Sequence, residues 1–189
     1  MNILVTGAVG FIGFSLCESL IKKKHKVFGI DNFDTYYSVK IKKKRLKTLN
    51  KNKNFYFKKI DITQRSGLFN FFKKKKIDII IHLAAQAGVR YSLINPKKYV
   101  DVNILGFLNI IKLAKEKRIK KFIYASSSSV YGENKKFPLS ENQSLNPKNI
   151  YGLSKQMNEQ IASMYSKFFD LKCIGLRFFT IYGEWGRPD

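Results

Sequence analysis

The stretch NILVTGAVGFIG, Asn2–Gly13, decides the fold. Asn2–Thr6 is a short apolar, β-branched run and reads as a buried strand. It passes directly into Gly7, Gly10 and Gly13, which stand three apart. Phe14–Lys24 follows with helical spacing in Phe14, Cys17, Leu20 and Ile21, and its basic end suits a helix C-terminus. One glycine permits unusual backbone angles at the turn. A second lets the backbone approach a diphosphate, and a third lets helix pack closely on sheet. The helix N-terminus then offers free N–H groups and a positive dipole to phosphates. Three glycines alone are a weak signal; the strand on one side and the helix on the other strengthen it.

Further along, apolar runs alternate with helical patterns. Lys26–Ile30 reads as a second strand, closing on Asp31-Asn32. Val39–Asn50 reads as a Lys-rich helix with a narrow apolar stripe of Val39, Leu46 and Leu49. Phe55–Ile60 is a third strand, followed by Asp61-Ile62, and Gln64–Phe72 a short helix. Ile77–Leu83 is a fourth, very apolar strand. Tyr99–Glu116 is a long helix, Phe122–Ser126 a fifth strand, Tyr151–Phe169 a helix and Lys172–Phe178 a sixth strand. Alternating helices and continuously apolar strands predict an α/β fold, a doubly wound parallel sheet covered on both faces. Glu133–Ile150, with Pro138 and Pro147, is a surface excursion.

Asp31 stands at the end of the second strand, about twenty residues beyond the glycines, where an acid can bind both ribose hydroxyls of adenosine. The plain alternative is a loop-capping Asp. An acid here repels a 2′-phosphate and favours NAD over NADP. Asp61 and Ile62 would lie at the adenine edge, and Ala84, Ala85 and Gln86 after the fourth strand would let a dinucleotide pass; each has an equally plain structural reading. His82, alone on a buried strand without ligand partners at metal spacing, reads as a core histidine, and no metal is expected.

A second constellation lies in SSSSVYG, Ser126–Gly132, and YGLSK, Tyr151–Lys155. Tyr151 and Lys155 fall one helical turn apart on one face. A phenol titrates near 10, so a tyrosine base needs a cation beside it, which Lys155 supplies. A Tyr-x-x-x-Lys pair alone is weak. Joined in order to the glycine loop, Asp31 and a serine-rich strand end, it describes a proton-transfer device beside a dinucleotide.

The 189 residues fit one domain, and 44% hydrophobic with 14% aromatic residues is globular composition. Thirty-six Lys and Arg against 13 Asp and Glu give +23. The runs Lys22–Lys24, Lys42–Arg45 and Lys73–Lys76 read as solvated helix ends and faces, not interleaved with aromatics as a nucleic-acid surface would be. No nucleic-acid partner is expected. Cys17 and Cys173 read as buried thiols of a reduced compartment, and no signal peptide or membrane span is visible. A cytoplasmic protein is therefore expected.

The motifs TGAVGFIG, HLAAQAGVRYS, YASSSSVYG, YGLSK and RFFTIYGEWGRPD, in this order, resemble the extended short-chain dehydrogenase/reductase family of nucleotide-sugar epimerases and dehydratases. The resemblance covers essentially the whole chain. DNFDTYYSVKIKKKRL, AGVRYSLINPKKYVDVNILGFLNI and RFFTIYGEWGRPD bring it closest to the UDP-glucuronate 4-epimerases.

The resemblance implies an NAD-binding Rossmann fold over residues 1–189, with the start of a substrate-binding region at about 179–189. The family continues beyond this point into a mostly helical part, largely missing here. Ser127, Tyr151 and Lys155 are implied to be catalytic. The cofactor positions are Gly7, Gly10, Phe11, Ile12, Gly13, Asp31, Asn32, Asp61, Ile62, Leu83, Ala84, Ala85, Gln86 and Asn103, with Tyr151 and Lys155. Arg90, Ser127, Ser128, Thr180 and Arg187 are implied to meet a UDP-sugar. Glu184 stands where the uronate subgroup usually has Pro. The implied reaction is 4-epimerisation of UDP-glucuronate to UDP-galacturonate through a 4-keto sugar. The alternatives are another nucleotide-sugar epimerase, a 4,6-dehydratase or an inactive NAD-binding fragment. A homodimer through the Tyr99–Glu116 and Tyr151–Phe169 helices is expected of such folds.

Overall fold

The computed structural model describes residues 1–186 apart from 74, 135 and 136. Lys74, within the Lys73–Lys76 run, and the Arg187 position lie outside the described residues. Six strands form one parallel sheet in the order β3-β2-β1-β4-β5-β6. They are β1 (Asn2–Thr6), β2 (Lys26–Asp31), β3 (Phe55–Lys59), β4 (Ile79–His82), β5 (Lys121–Ser127) and β6 (Lys172–Phe178). The strand order reverses between β1 and β4, which pair in register from Ile3 with Ile79 to Thr6 with His82. In such a sheet the crevice outside the strand C-termini at the reversal receives the ligand.

Alternation along β1 sends successive side chains to opposite faces. Leu4 joins a core with Phe28, Ile80, Phe107 and Phe122. Ile3 and Val5 join another with Phe14, Cys17, Val27 and Ile81. Helices therefore cover both faces of the central strands, as the continuous apolar runs predict. Edge strand β6 departs from this, and its Leu176 is exposed.

The helices are α1 (Phe11–Lys22), α2 (Val39–Leu49), α3 (Arg65–Phe72), α4 (Val89–Ile94), α5 (Pro96–Tyr99), α6 (Phe107–Glu116) and α7 (Ile150–Phe168). Helix α1 starts three residues earlier than the apolar spacing predicts, because Gly10 already serves as its N-cap. The single long helix expected over Tyr99–Glu116 starts at Pro96 and passes through a π-helical stretch, Val100–Gly106, between α5 and α6. The extra residue per turn places Asn103 in the interior.

The buried positions of α2 are Lys42, Arg45 and Leu49, not Val39 and Leu46. The expectation that Lys42–Arg45 is a solvated run is thus corrected at two of its four positions. Cys173 is only half-buried, again unlike the expectation, whereas Cys17 is fully enclosed. Among the described residues no helix is long and apolar enough to cross a membrane.

Candidate active site

At the β1–α1 turn Gly7 adopts φ +68°, a conformation that disfavours a side chain. A Cβ on Gly13 would lie 2.0 Å from the Gly7 carbonyl oxygen, so the first turn of α1 sits on the loop itself. Gly10 N–H donates to Gly7 O at 3.0 Å. No side chain caps α1 and its first turn holds no acid, so its N–H groups face the cleft uncompensated. This is a cradle that a Cβ would fill, and it fits a dinucleotide diphosphate.

The cleft encloses about 630 Å³. On one side stand the glycine loop, Phe11 and Ile12; opposite stand Ser127, Tyr151 and Lys155; Leu83, Ala85 and Gln86 line it between them. Of the segment after β6, Phe179, Thr180, Ile181, Tyr182, Gly183 and Gly186 line it. Asp31, Asn32, Asp61, Ile62, Ala84, Asn103, Ser128 and Arg90 do not form its wall. Arg90 is exposed on the first turn of α4, and Arg187 is outside the described residues.

Asp31 accepts the Phe33 N–H at 2.8 Å and the Val9 N–H at 3.4 Å, the contacts of a loop-capping acid. Its burial outweighs those bonds and the nearby Lys42, and lifts its carboxyl above the usual carboxylate range. Two donating ribose hydroxyls would relieve that. Asn32 donates to Asp61 at 2.9 Å. Burial pushes Asp61 up, but the hydrogen bonds from Asn32 and Thr63 prevail and hold it low.

Asn103 ties the fourth-strand loop to the helix of the tyrosine. Its Oδ1 accepts Gln86 N–H at 2.8 Å, and its Nδ2 donates to Gln86 O and Ser154 Oγ at 3.1 and 3.0 Å. Asn158 Nδ2 donates to the Asn103 carbonyl at 2.6 Å. Every polar group of this buried amide is thus used, which fixes α7 relative to the cleft.

Asn149 caps α7 through Gly152 N–H at 2.8 Å and starts the helix at the point that aims Tyr151 into the cleft. The Tyr151 ring packs edge-on against Tyr99 at 6.2 Å. Lys155 Nζ donates to Ala125 O at 2.9 Å and lies 6.0 Å from the Tyr151 ring centre. Burial pulls Lys155 down to about 8. Of the four serines, Ser126 and Ser127 line the cleft; the Ser126 hydroxyl is engaged in donating to Glu159, while the Ser127 oxygen accepts Ser129 N–H at 3.2 Å. His82 is fully enclosed, and burial, then Lys155, drives it down to about 3, so it is a neutral core residue.

Several residues that sequence reasoning missed shape this site. Thr6 Oγ1 accepts the N–H groups of Leu83 and Ala84 at 3.2 and 3.0 Å, so its own hydroxyl proton goes to His82 Nδ1, 2.8 Å away. That fixes the β4 end beside Gly7. No local pattern announces a partnership 76 residues apart. Lys42 and Arg45, hidden in a lysine run, are the other two.

Lys155 makes a measurable prediction. Its unfolded value is 10.5 and its folded value about 8. Between these the unfolded chain holds the extra proton, so stability rises with pH across this window. Lys155→Met removes this contribution. The difference in urea midpoint between the variant and the parent should shift in favour of the parent from pH 8 to pH 10. A constant difference would mean that the ammonium is solvated.

Strand order and glycine cradle define a Rossmann-fold protein, with Ser127, Tyr151 and Lys155 gathered in the same cleft as the glycine loop. The family model of the NAD dependent epimerase/dehydratase family matches residues 3–189, and the chain belongs to that family, which is NAD-dependent. It is 46% identical over 190 residues to protein CapI of Staphylococcus aureus, covering 100% of this chain and 57% of that one. It is 41% identical over 191 residues to UDP-glucuronate 4-epimerase 2 of Arabidopsis thaliana, covering 100% and 44%. The crystal structure of the UDP-glucuronic acid 4-epimerase from Bacillus cereus with UDP-glucuronic acid and NAD superposes with a TM-score of 0.91 at 38% identity, covering 100% of this chain and 60% of that one. The chain thus spans less than two thirds of the length of these relatives.

Proposed function

We propose that this chain belongs to an NAD-dependent 4-epimerase of nucleotide sugars, with UDP-glucuronate and UDP-galacturonate as its pair. The observation that carries this reading is that Ser127, Tyr151, Lys155 and Thr180 line the same cleft as the glycine loop. NAD, when bound, supplies a hydride acceptor and donor at the sugar C4. Tyr151 as phenolate takes the proton of the 4-hydroxyl, and Ser127 holds the same oxygen by a hydrogen bond. The buried Lys155 ammonium favours the phenolate and is placed to hold ribose hydroxyls. The 4-keto sugar turns over in the cleft and is reduced from its other face, with Tyr151 returning the proton.

Asp31 binds the adenosine ribose in this reading. Asn32, Asp61 and Ile62 border the adenine, Ala84 lets the dinucleotide pass, and Asn103 supports the site. Ser128, Arg90 and Arg187 meet the sugar nucleotide. A dehydratase would need an acid and a base next to Ser127, where Ser128 and Ser129 stand. A homodimer through α6 and α7 belongs to the same proposal, and Met164 on α7 is exposed.

The test incubates the purified chain, and a version extended at its C-terminus to the relatives' length, with NAD and UDP-glucuronate. UDP-galacturonate from either supports the reading. No product from the extended form, with UDP-glucose and UDP-N-acetylglucosamine also left unconverted, would overturn it.

A further inference from the structure

Arg45 is fully buried on α2, yet among the described residues no carboxylate pairs with it. Its guanidinium reaches three separate parts of the chain. Nη1 donates to the Val9 carbonyl of the glycine loop at 3.0 Å and to the Tyr37 hydroxyl at 2.7 Å. Nη2 donates to the Trp185 carbonyl, 140 residues away. Nε has no partner. A buried cation held by neutral acceptors alone is costly, and a neighbouring anion would offset that cost.

Trp185 itself is held under strain. Its φ is +61°, a left-handed conformation that costs a bulky residue about 1–2 kcal/mol. Such a conformation persists only where the surroundings enforce it. Here the enforcing contacts are the bond from Arg45 and the edge-on packing of the indole against Phe14 at 5.7 Å. The segment 179–186 that carries this tie forms part of the cleft, with Thr180, Ile181, Tyr182, Gly183 and Gly186 in its wall.

We propose that Arg45 is a positioning residue that retains the cofactor: it ties the wall segment 179–186 to the glycine loop, so that the dinucleotide leaves faster when that tie is lost. The inference rests on reading the cleft as a dinucleotide site, and it does not depend on which sugar is turned over. Arg45 does not line the cleft, so its reach toward a diphosphate runs through the glycine loop, whose Val9 carbonyl it holds. Cofactor binding and closure of the segment then reinforce each other, since coupling between two equilibria is reciprocal. A cofactor that is regenerated in every turnover benefits from such a clasp.

The test compares the parent chain with Arg45→Met and Arg45→Lys. The readouts are NAD dissociation by stopped flow and amide exchange of residues 181–186 in the cofactor-free chain. Removal of the charged fork should speed dissociation roughly tenfold, the weight of one charge-assisted hydrogen bond. Exchange of the segment should rise in parallel, with Arg45→Lys in between. Should Arg45→Met fail to fold, a chain ending at Tyr182 and keeping Arg45 must show the same faster dissociation. Unchanged dissociation in a folded variant, or exchange that does not respond to loss of Arg45, overturns the proposal. A parent chain that holds no NAD overturns it together with the cofactor reading. Absence of sugar product alters neither readout and counts against the epimerase alone.

Discussion

Tyr151→Phe is expected to lower turnover of UDP-glucuronate by roughly a thousandfold or more, the range of a lost general acid-base group, while NAD stays bound. The substitution removes one oxygen and leaves the scaffold in place. The ring keeps its edge-on contact with Tyr99, Asn149 still caps α7, and Lys155 still donates to Ala125 O. Tyr37 also lines the cleft beside buried cations, but its hydroxyl already accepts from Arg45 Nη1 at 2.7 Å. Ser127 is an alcohol whose oxygen already accepts the Ser129 N–H. The measurement is product formation and bound-NAD content of parent and variant, both extended to the relatives' length. Turnover within threefold of the parent would remove Tyr151 from the proton path.

Gly13→Ala carries the second large effect, through geometry alone. The added methyl would lie 2.0 Å from the Gly7 oxygen and 2.9 Å from the Gly7 carbonyl carbon. Both are backbone atoms, and Gly7 is itself confined, with Ala84 N at 2.9 Å from its own Cβ direction. Neither the loop nor α1 can yield without losing the other contact. The expected outcome is a loss of stability on the order of 3 kcal/mol or more, as for a forced backbone overlap. Loss of NAD binding by calorimetry should accompany it. A parent-like melting midpoint with normal NAD titration would show that α1 can lift from the turn at little cost.

The parts of the fold that could be read from the sequence are those whose cause is local. Asn2–Thr6 is apolar in unbroken succession because β1 is central, and the three glycines stand where backbone must touch backbone. The Tyr151–Lys155 pair is legible because one helical turn separates the two. Helix α4 was not visible as periodicity, being six residues long and entered through Gly88 at φ +100°. The next turn did leave a signal. Asn95 caps α5 by accepting Lys98 N–H at 3.3 Å, and Pro96 occupies the first helical position. The π-helical stretch leaves none, because an added residue per turn is imposed by Asn103 reaching Gln86 and Ser154. Asp31 shows the limit of reading a site by position: the acid stands where expected, and its oxygens already serve Val9 and Phe33.

The lysines of α2 differ sharply in what they can tolerate. Lys40, Lys43, Lys44 and Lys47 are exposed, while Lys42 is enclosed, donates to Asp34 O at 2.6 Å and lies 4.3 Å from the Tyr37 ring centre. A surface redesign that lowered the net charge could exchange the first four for glutamate or glutamine with little effect on the core. Glutamate at Lys42 or Arg45 would place an acid inside the molecule, against the Asp34 or Val9 carbonyl. Within one eleven-residue helix, the freedom to rewrite the charge of this protein therefore follows the helical face, and an overall count of basic residues overstates it.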